Sequence, residues 1–451
     1  MTGPAEHLSP YDAASPLDAR YYFTDRPFFE ELHPFVSEGA QVRYLAQVEA
    51  ALAAVLSDIG ICPKEAATEI ARACQDVTPE EVYDEERRIQ HNIRALVNCI
   101  RRRIKPESRP YVHLFATSAD IMDTAKALCL RDATSRVILP ALLQLERRLI
   151  QMARQHAGTR QMGRTHGQHA VPITFGFALA LYVSRLGQRI EVVVRAARNL
   201  RGKFSGAVGA YNALALYCPE DPETVEAMLM ERLGLPAPEI SNQIAQPEYI
   251  AYHVYSLLSC WGVMANLADD FRHLIRSEIH EIGQHIESDP ATAVVGSSTM
   301  PHKINPKDFE NVKSLWKAYV PRIVTVLMDQ ISEHQRDLTN SASGRFVTEL
   351  VTAFVYAVRR LSTALDGVKP YAERMSEILE AGKDPIAAEP LYVLLSLAGH
   401  PDGHEKARLL ARQARVTKTP LTQVIREDRS LDEYLQRLTP QQRAVLEDPA
   451  Q

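Results

Sequence analysis

Gly296-Ser297-Ser298-Thr299-Met300-Pro301-His302-Lys303-Ile304-Asn305-Pro306 is the stretch on which the reading of this chain turns. Its prolines forbid regular helix, and Pro301 also restricts Met300 before it. The glycine and the paired serines loosen its first part. On either side the pattern is helical. A run over Tyr249–Ile282 precedes the loop, and a helix over Phe309–Met328 follows it. A loop carrying serines, a lysine and an asparagine between long helices is a candidate for chemistry. The plainer possibility is a proline-capped connection.

Outward from the loop, helical spacing dominates. Val42, Leu45, Val48, Ala51, Leu52 and Val55 fall on one face of a helix that Ser37 and Glu38 are suited to start. A short helix reads over Lys64–Cys74, and a longer one over Pro79–Arg103 through Val82, Ile89, Ile93, Leu96, Val97 and Ile100. Lys105–Pro110 interrupts the pattern. Leu142, Leu145, Leu149 and Met152 step by threes and fours, and Ile173–Leu200 continues in that manner. The Tyr249–Ile282 run, about 34 residues, would reach about 50 Å as a helix. Helices of that length pack side by side in an extended bundle and bury their remaining apolar surface against other subunits. A second break falls at Asp366-Gly367-Val368-Lys369-Pro370. No period-2 run longer than about five residues stands out. The fold expected is all-α in three parts: 1–111, 112–366 with the loop 296–306, and 367–451.

Composition narrows the function classes. The 451 residues carry 51 basic and 56 acidic side chains and a net charge of −5, with no basic tail. That argues against nucleic acid and membrane surfaces as partners. No apolar run reaches membrane-spanning length, and Met1–Arg20 lacks the apolar core of a signal peptide. The six cysteines are scattered, without paired spacing for zinc or redox work. They read as small buried hydrophobes of a reducing cytoplasm.

Two further stretches carry chemistry. Gly163-Arg164-Thr165-His166-Gly167-Gln168-His169-Ala170-Val171-Pro172 holds a histidine suited to proton delivery near neutral pH. As metal ligands His166 and His169 lack cysteine or carboxylate partners at suitable spacing. His113-Leu114-Phe115-Ala116-Thr117-Ser118-Ala119-Asp120 sets hydroxyls and backbone N–H groups at a helix start, where carboxylates bind. Taken alone, Thr117 or Ser118 reads first as a plain helix cap.

The loop resembles the Ser-Ser-x-Met-Pro-x-Lys-x-Asn-Pro signature of the fumarase/aspartase superfamily, matching at every fixed position from Ser297 to Pro306. The Thr165-His166 and Thr117-Ser118-x-Asp120 stretches resemble that superfamily's other motifs. Gly163–Gly176 is most similar to the adenylosuccinate lyase branch. Arg20-Tyr21 resembles the pair by which that branch holds the nucleotide phosphate. Arg336, Ser341 and Arg345 repeat its spacing of five and four. Guanidinium forks with a hydroxyl suit phosphate or carboxylate. Glu85–His91 resembles the segment ending in a substrate-binding histidine, and Ser205–Gly209, with Lys203 before it, resembles a glycine-rich stretch of the same enzymes.

The resemblance implies elimination of fumarate from adenylosuccinate and from its imidazole ribonucleotide analogue, with no metal or cofactor. By position Ser297 is the base, activated by Lys303 and local N–H dipoles. Lys303 and Asn305 suit stabilisation of an aci-carboxylate. His166 protonates the departing nitrogen, with Glu310 to orient it. His91 and His113 contact phosphate or base, and Gln246 joins the substrate set. The resemblance also implies a cytoplasmic homotetramer with sites shared among subunits. Two departures stand out: His91-Asn92 replaces the family's His-Asp, and Gln246-Pro247-Glu248 replaces Gln-Arg-Asp. They leave open a related lyase releasing fumarate from another substituted succinate. Outside the lyases, the residues leave room for a non-catalytic helical scaffold, or for a pyridoxal enzyme with Lys303 as Schiff base.

Overall fold

A computed structural model describes residues 13–284, 299–300 and 303–450. Two compact units emerge. The first takes its described residues from Met1–Glu146, Arg185–Asp269 and Lys307–Thr363, and the second from Arg147–Ser184, Asp270–Pro306 and Ala364–Gln451. Helices dominate both, as the sequence pattern requires.

In the first unit the Glu38–Asp58 helix begins where expected, with Ser37 Oγ accepting from Ala40 N at 3.1 Å. Its apolar face is fully buried at Val48, Leu52, Val55 and Leu56. Deeper in the unit, Trp261 stacks on Tyr319 at 6.0 Å and meets Phe354 edge-on at 5.7 Å. These rings come from three helices distant in sequence. Burying each stabilises the fold by about 1.5–3 kcal/mol relative to exposure.

Three expected helices are shorter than the periodicity suggests. The Pro79–Arg103 run is two helices, Pro79–Ile89 and Asn92–Arg102, parted at Gln90, whose φ is +59°. Apolar spacing cannot register this break, because the residues at it are polar. The Phe309–Met328 run divides into Lys307–Tyr319 and Arg322–Met328 around Pro321, which has no N–H to give. The long run becomes Glu248–Ile275, 28 residues. Beyond it Ile279 N and His280 N both bond back to Arg276 O, and Ile282–Gln284 pairs as a short strand with Val368–Pro370.

The second unit holds a hairpin that alternation did not disclose. Strand β1, Arg160–Thr165, pairs antiparallel with β2, Gln168–Thr174, seven residues long. Its register shifts between Met162 and Arg164, which masks the period-2 signal. Gly163 sits at that irregularity, where a Cβ would lie 2.5 Å from Val171 O. Only then does the next helix begin, Phe175–Arg198. The C-terminal helices close over Leu391, Leu395, Leu410, Val424 and Leu431. Among the described residues no helix is long and apolar enough to cross a membrane.

Candidate active site

His166 stands at the tip of the hairpin. Thr165 pairs with Gln168, so His166 and Gly167 form the two-residue connection, with φ of +54° and +73°. Positive φ at both positions is the mirror-image turn whose twist matches that of antiparallel strands. Glycine takes such a conformation freely; histidine does so at a cost, a pattern concentrated at functional positions. The hairpin is anchored below its tip. Arg164 Nη2 donates to Glu281 Oε1 at 2.6 Å, and Gln161 Nε2 donates to Glu281 Oε2 at 2.6 Å. Glu281 has no exposed side-chain surface, so its charge relies on these donors. Arg164, adjacent to the paired Thr-His, thus holds the turn that displays an exposed imidazole.

In the same unit Lys303 is exposed, and its N–H closes a turn onto Met300 O at 3.0 Å. Asn305 is half-buried just before the Lys307–Tyr319 helix. Ser297 lies outside the described residues, as does His302.

The first unit gathers most of the remaining residues around one helix, Ser118–Ala133, capped by Thr117. Asp120 explains the Thr-Ser-x-Asp pattern. Its Oδ2 accepts from Thr117 N at 2.8 Å, while Oδ1 takes Lys203 Nζ and, at 3.2 Å, Ser205 N. Both members of the Lys203–Asp120 pair are wholly buried. One carboxylate therefore binds the helix start to the glycine-rich stretch. That stretch is held further by Thr124 Oγ1, which accepts from Lys203 N at 2.9 Å, and by Glu226, which accepts from Phe204 N and from Tyr211 OH.

Segments from elsewhere meet the same helix. Asn92 Nδ2 lies 3.6 Å from Met122 Sδ, bringing His91 beside it. His91 caps its own helix, with Nδ1 accepting from Arg94 N at 3.2 Å, so the ring proton resides on Nε2. Ala245 N donates to Asp123 Oδ2 at 2.8 Å, fixing the chain next to Gln246. Loss of water pushes the Asp123 carboxyl up to about 6, against the pull of the Ala245 N–H and the Lys203 and Arg336 charges. Lys126 Nζ donates to Gly344 O at 3.3 Å, between Ser341 and Arg345. Arg336 gives one amine to Asn340, yet its Nη1 is buried with no partner among the described residues. A buried guanidinium donor left open is a demand for an anion. Tyr21 OH accepts from Asn311 at 3.4 Å, next to Glu310, and its ring lies 4.7 Å from that of Tyr356; Arg20 is exposed beside it.

Periodicity did not single out Glu49. It is buried in the apolar face of the Glu38–Asp58 helix and lies 2.6 Å from His113 Nδ1. The available signal was an acidic residue one turn after Leu45 and one turn before Leu52, a core position that requires a partner. Glu281, the anchor of the hairpin, carried no signal of this kind.

Comparison with known proteins extends the picture over the whole chain. Residues 30–317 match a family model described as lyase, and residues 332–443 one described as adenylosuccinate lyase C-terminal. The adenylosuccinate lyase of Pyrococcus horikoshii is 34% identical over 94% of this chain and 92% of its own length. That of Methanothermobacter thermautotrophicus is 33% identical over 88% of each. The chain belongs to the adenylosuccinate lyase family. Other relatives mark the family's breadth. N-acetyl-S-(2-succino)cysteine lyase of Enterococcus italicus is 31% identical over 78% of this chain and 75% of its own. Among solved structures, a fumarate lyase from Mesorhizobium sp. BNC1 is 25% identical with a TM-score of 0.77, covering 93% of this chain and 94% of that one. The all-α class and the superfamily read from the loop both hold.

Proposed function

We propose that this enzyme eliminates fumarate from adenylosuccinate, leaving AMP, and from the succinylcarboxamide imidazole ribonucleotide, leaving its carboxamide, within purine nucleotide synthesis. The observation that carries this reading is the Arg336–Arg345 segment meeting the Ser118–Ala133 helix with a buried guanidinium amine that has no partner among the described residues. Similarity to adenylosuccinate lyases over most of the chain supports it. Arg20, Tyr21, Arg336, Ser341 and Arg345 hold the nucleotide phosphate, and Thr117, Ser118, Gln246, His91 and His113 complete the substrate contacts.

The chemistry follows from the residue types. Ser297, as alkoxide, removes a proton from succinyl carbon. The resulting carbanion is held as an aci-carboxylate by Lys303 and Asn305. The carbon–nitrogen bond then breaks, its electron pair passes to nitrogen, and imidazolium His166 supplies the proton. Glu310 keeps that ring oriented and charged. Sites of this kind are assembled from several chains of a cytoplasmic homotetramer. Exposed Val324, Leu327, Met328 and Ile331, clustered at and after the Arg322–Met328 helix, support burial against another subunit.

A second reading has its own support: similarity to an N-acetyl-S-(2-succino)cysteine lyase, together with Asn92 and Pro247. Incubating the purified protein with adenylosuccinate decides between them. The expected result is AMP and fumarate in equal amounts. Turnover confined to a succinylated thiol transfers the assignment to the second reading.

A further inference from the structure

We propose that Glu49 is a positioning residue that fixes His113 as a cation, with its Nε2–H presented to an anionic oxygen of the substrate. The proposal rests on the function proposed above for the identity of that substrate, but not for the state of the ring. Four observations carry it.

Glu49 is 1% exposed on a helix whose buried face is otherwise almost entirely apolar. A carboxylate there is costly unless neutralised. Its partner is His113 Nδ1 at 2.6 Å, and Oε2 has none among the described residues. One short bond to a cation satisfies such a group; a neutral imidazole leaves the charge uncompensated. Second, use of Nδ1 by Glu49 leaves Nε2 as the ring's other donor, and the His113 side chain keeps 21% of its surface exposed. Third, the backbone is set in an unfavourable conformation to achieve this. His113 and Phe115 both have positive φ, +64° and +66°, in the turn leading into the Ser118–Ala133 helix. Such conformations in non-glycine residues persist where surrounding structure enforces them.

The fourth is the balance of charge around the ring. Burial pulls the imidazole down, and the Glu49 hydrogen bond and charge, with Asp120 behind, outweigh both that and Arg94, leaving it raised. Glu49 faces it from the Glu38–Asp58 helix, Asp120 from Ser118–Ala133 and Arg94 from Asn92–Arg102. The sign follows. The charged pair is intact below the ordinary histidine range and is lost as pH rises through the raised value. Substrate affinity that depends on it weakens in the same direction.

The test has three parts. Diethylpyrocarbonate attacks only neutral imidazole, and peptide mapping resolves His113 from the other histidines. At mildly acid pH the Glu49→Gln protein is modified at His113 about tenfold faster than the parent, because loss of the carboxylate leaves more of the ring neutral. Equal rates overturn the proposal whatever the protein's substrate. For turnover of adenylosuccinate, Glu49→Gln raises KM about tenfold with kcat changed only a few-fold, and the alkaline rise in KM begins at lower pH. A loss confined to kcat overturns the proposal. Calorimetric titration with AMP, which lacks the succinyl group, and with fumarate, which lacks the phosphate, identifies the oxygen: one affinity falls and the other holds. If neither falls, the proposal fails. Should Glu49→Gln not fold, His113→Gln carries the same test, since the alkaline rise in KM must then vanish. Faster modification of His113 with no adenylosuccinate turnover in the parent faults the functional reading and not the dyad.

Discussion

Replacing His166 with alanine lowers kcat by about 10²–10⁴-fold, the usual contribution of a positioned general acid. The fold is expected to survive the change. The side chain is exposed at the hairpin tip, and the turn depends on backbone conformation and on the Arg164–Glu281 anchor beneath it. Its effect on stability should lie within about 0.5 kcal/mol, as for other surface substitutions. Alanine in fact meets the same positive φ as histidine, so no strain is removed that would confuse the comparison. A denaturation midpoint matching the parent, with activity lost, assigns the loss to chemistry. Mixing this variant with Ser297→Ala then addresses the shared sites. If the two residues of one site come from different subunits, random exchange restores about a quarter of the sites. No recovery under conditions of proven subunit exchange rules out such sharing.

What could be read in the sequence, and what could not, divides along the range of the interactions. The helices of the core announced themselves because apolar residues recur every three or four positions, and that pattern is local. The signature loop and the Thr-His turn were legible because their chemistry lies in contiguous residues. The breaks at Gln90 and Pro321 were harder. A proline can be weighed, but a left-handed glutamine between Ile89 and Ile93, which keep a helical spacing of four, leaves no mark in the periodicity. The β1–β2 hairpin was hidden by its register shift, which spoils alternation at the position where Gly163 allows close approach. Least legible were the buried charges. Glu49 and His113 are 64 residues apart, Asp120 and Lys203 are 83 apart, and Arg164 and Glu281 are 117 apart. Nothing local to either partner names the other. For His113 and Arg164 the motif residue was visible and the charge that holds it was not; Asp120 and Lys203 were both visible, but not as a pair.

The Lys203–Asp120 pair gives the largest expected effect on stability. Lys203→Met keeps most of the length of the side chain and removes its charge. Asp120 then stays wholly buried without a cation, and breaking a buried pair in this way costs about 3–5 kcal/mol. Asp120→Asn, which strands the ammonium, should cost a similar amount. The double variant should recover much of either loss, because neither charge is then left alone; a denaturant-based double-mutant cycle measures that coupling. The deficit of Lys203→Met must also depend on pH. An unpaired buried carboxyl is raised in the folded state, so its protonation favours folding, and the variant approaches the parent as pH falls. The backbone donors Thr117 N and Ser205 N still reach the carboxyl oxygens in its acid form. A Lys203→Met penalty below about 1 kcal/mol, or one independent of pH, means that the pair is dispensable to the fold. The placement of Thr117 and Ser118 would then need another cause.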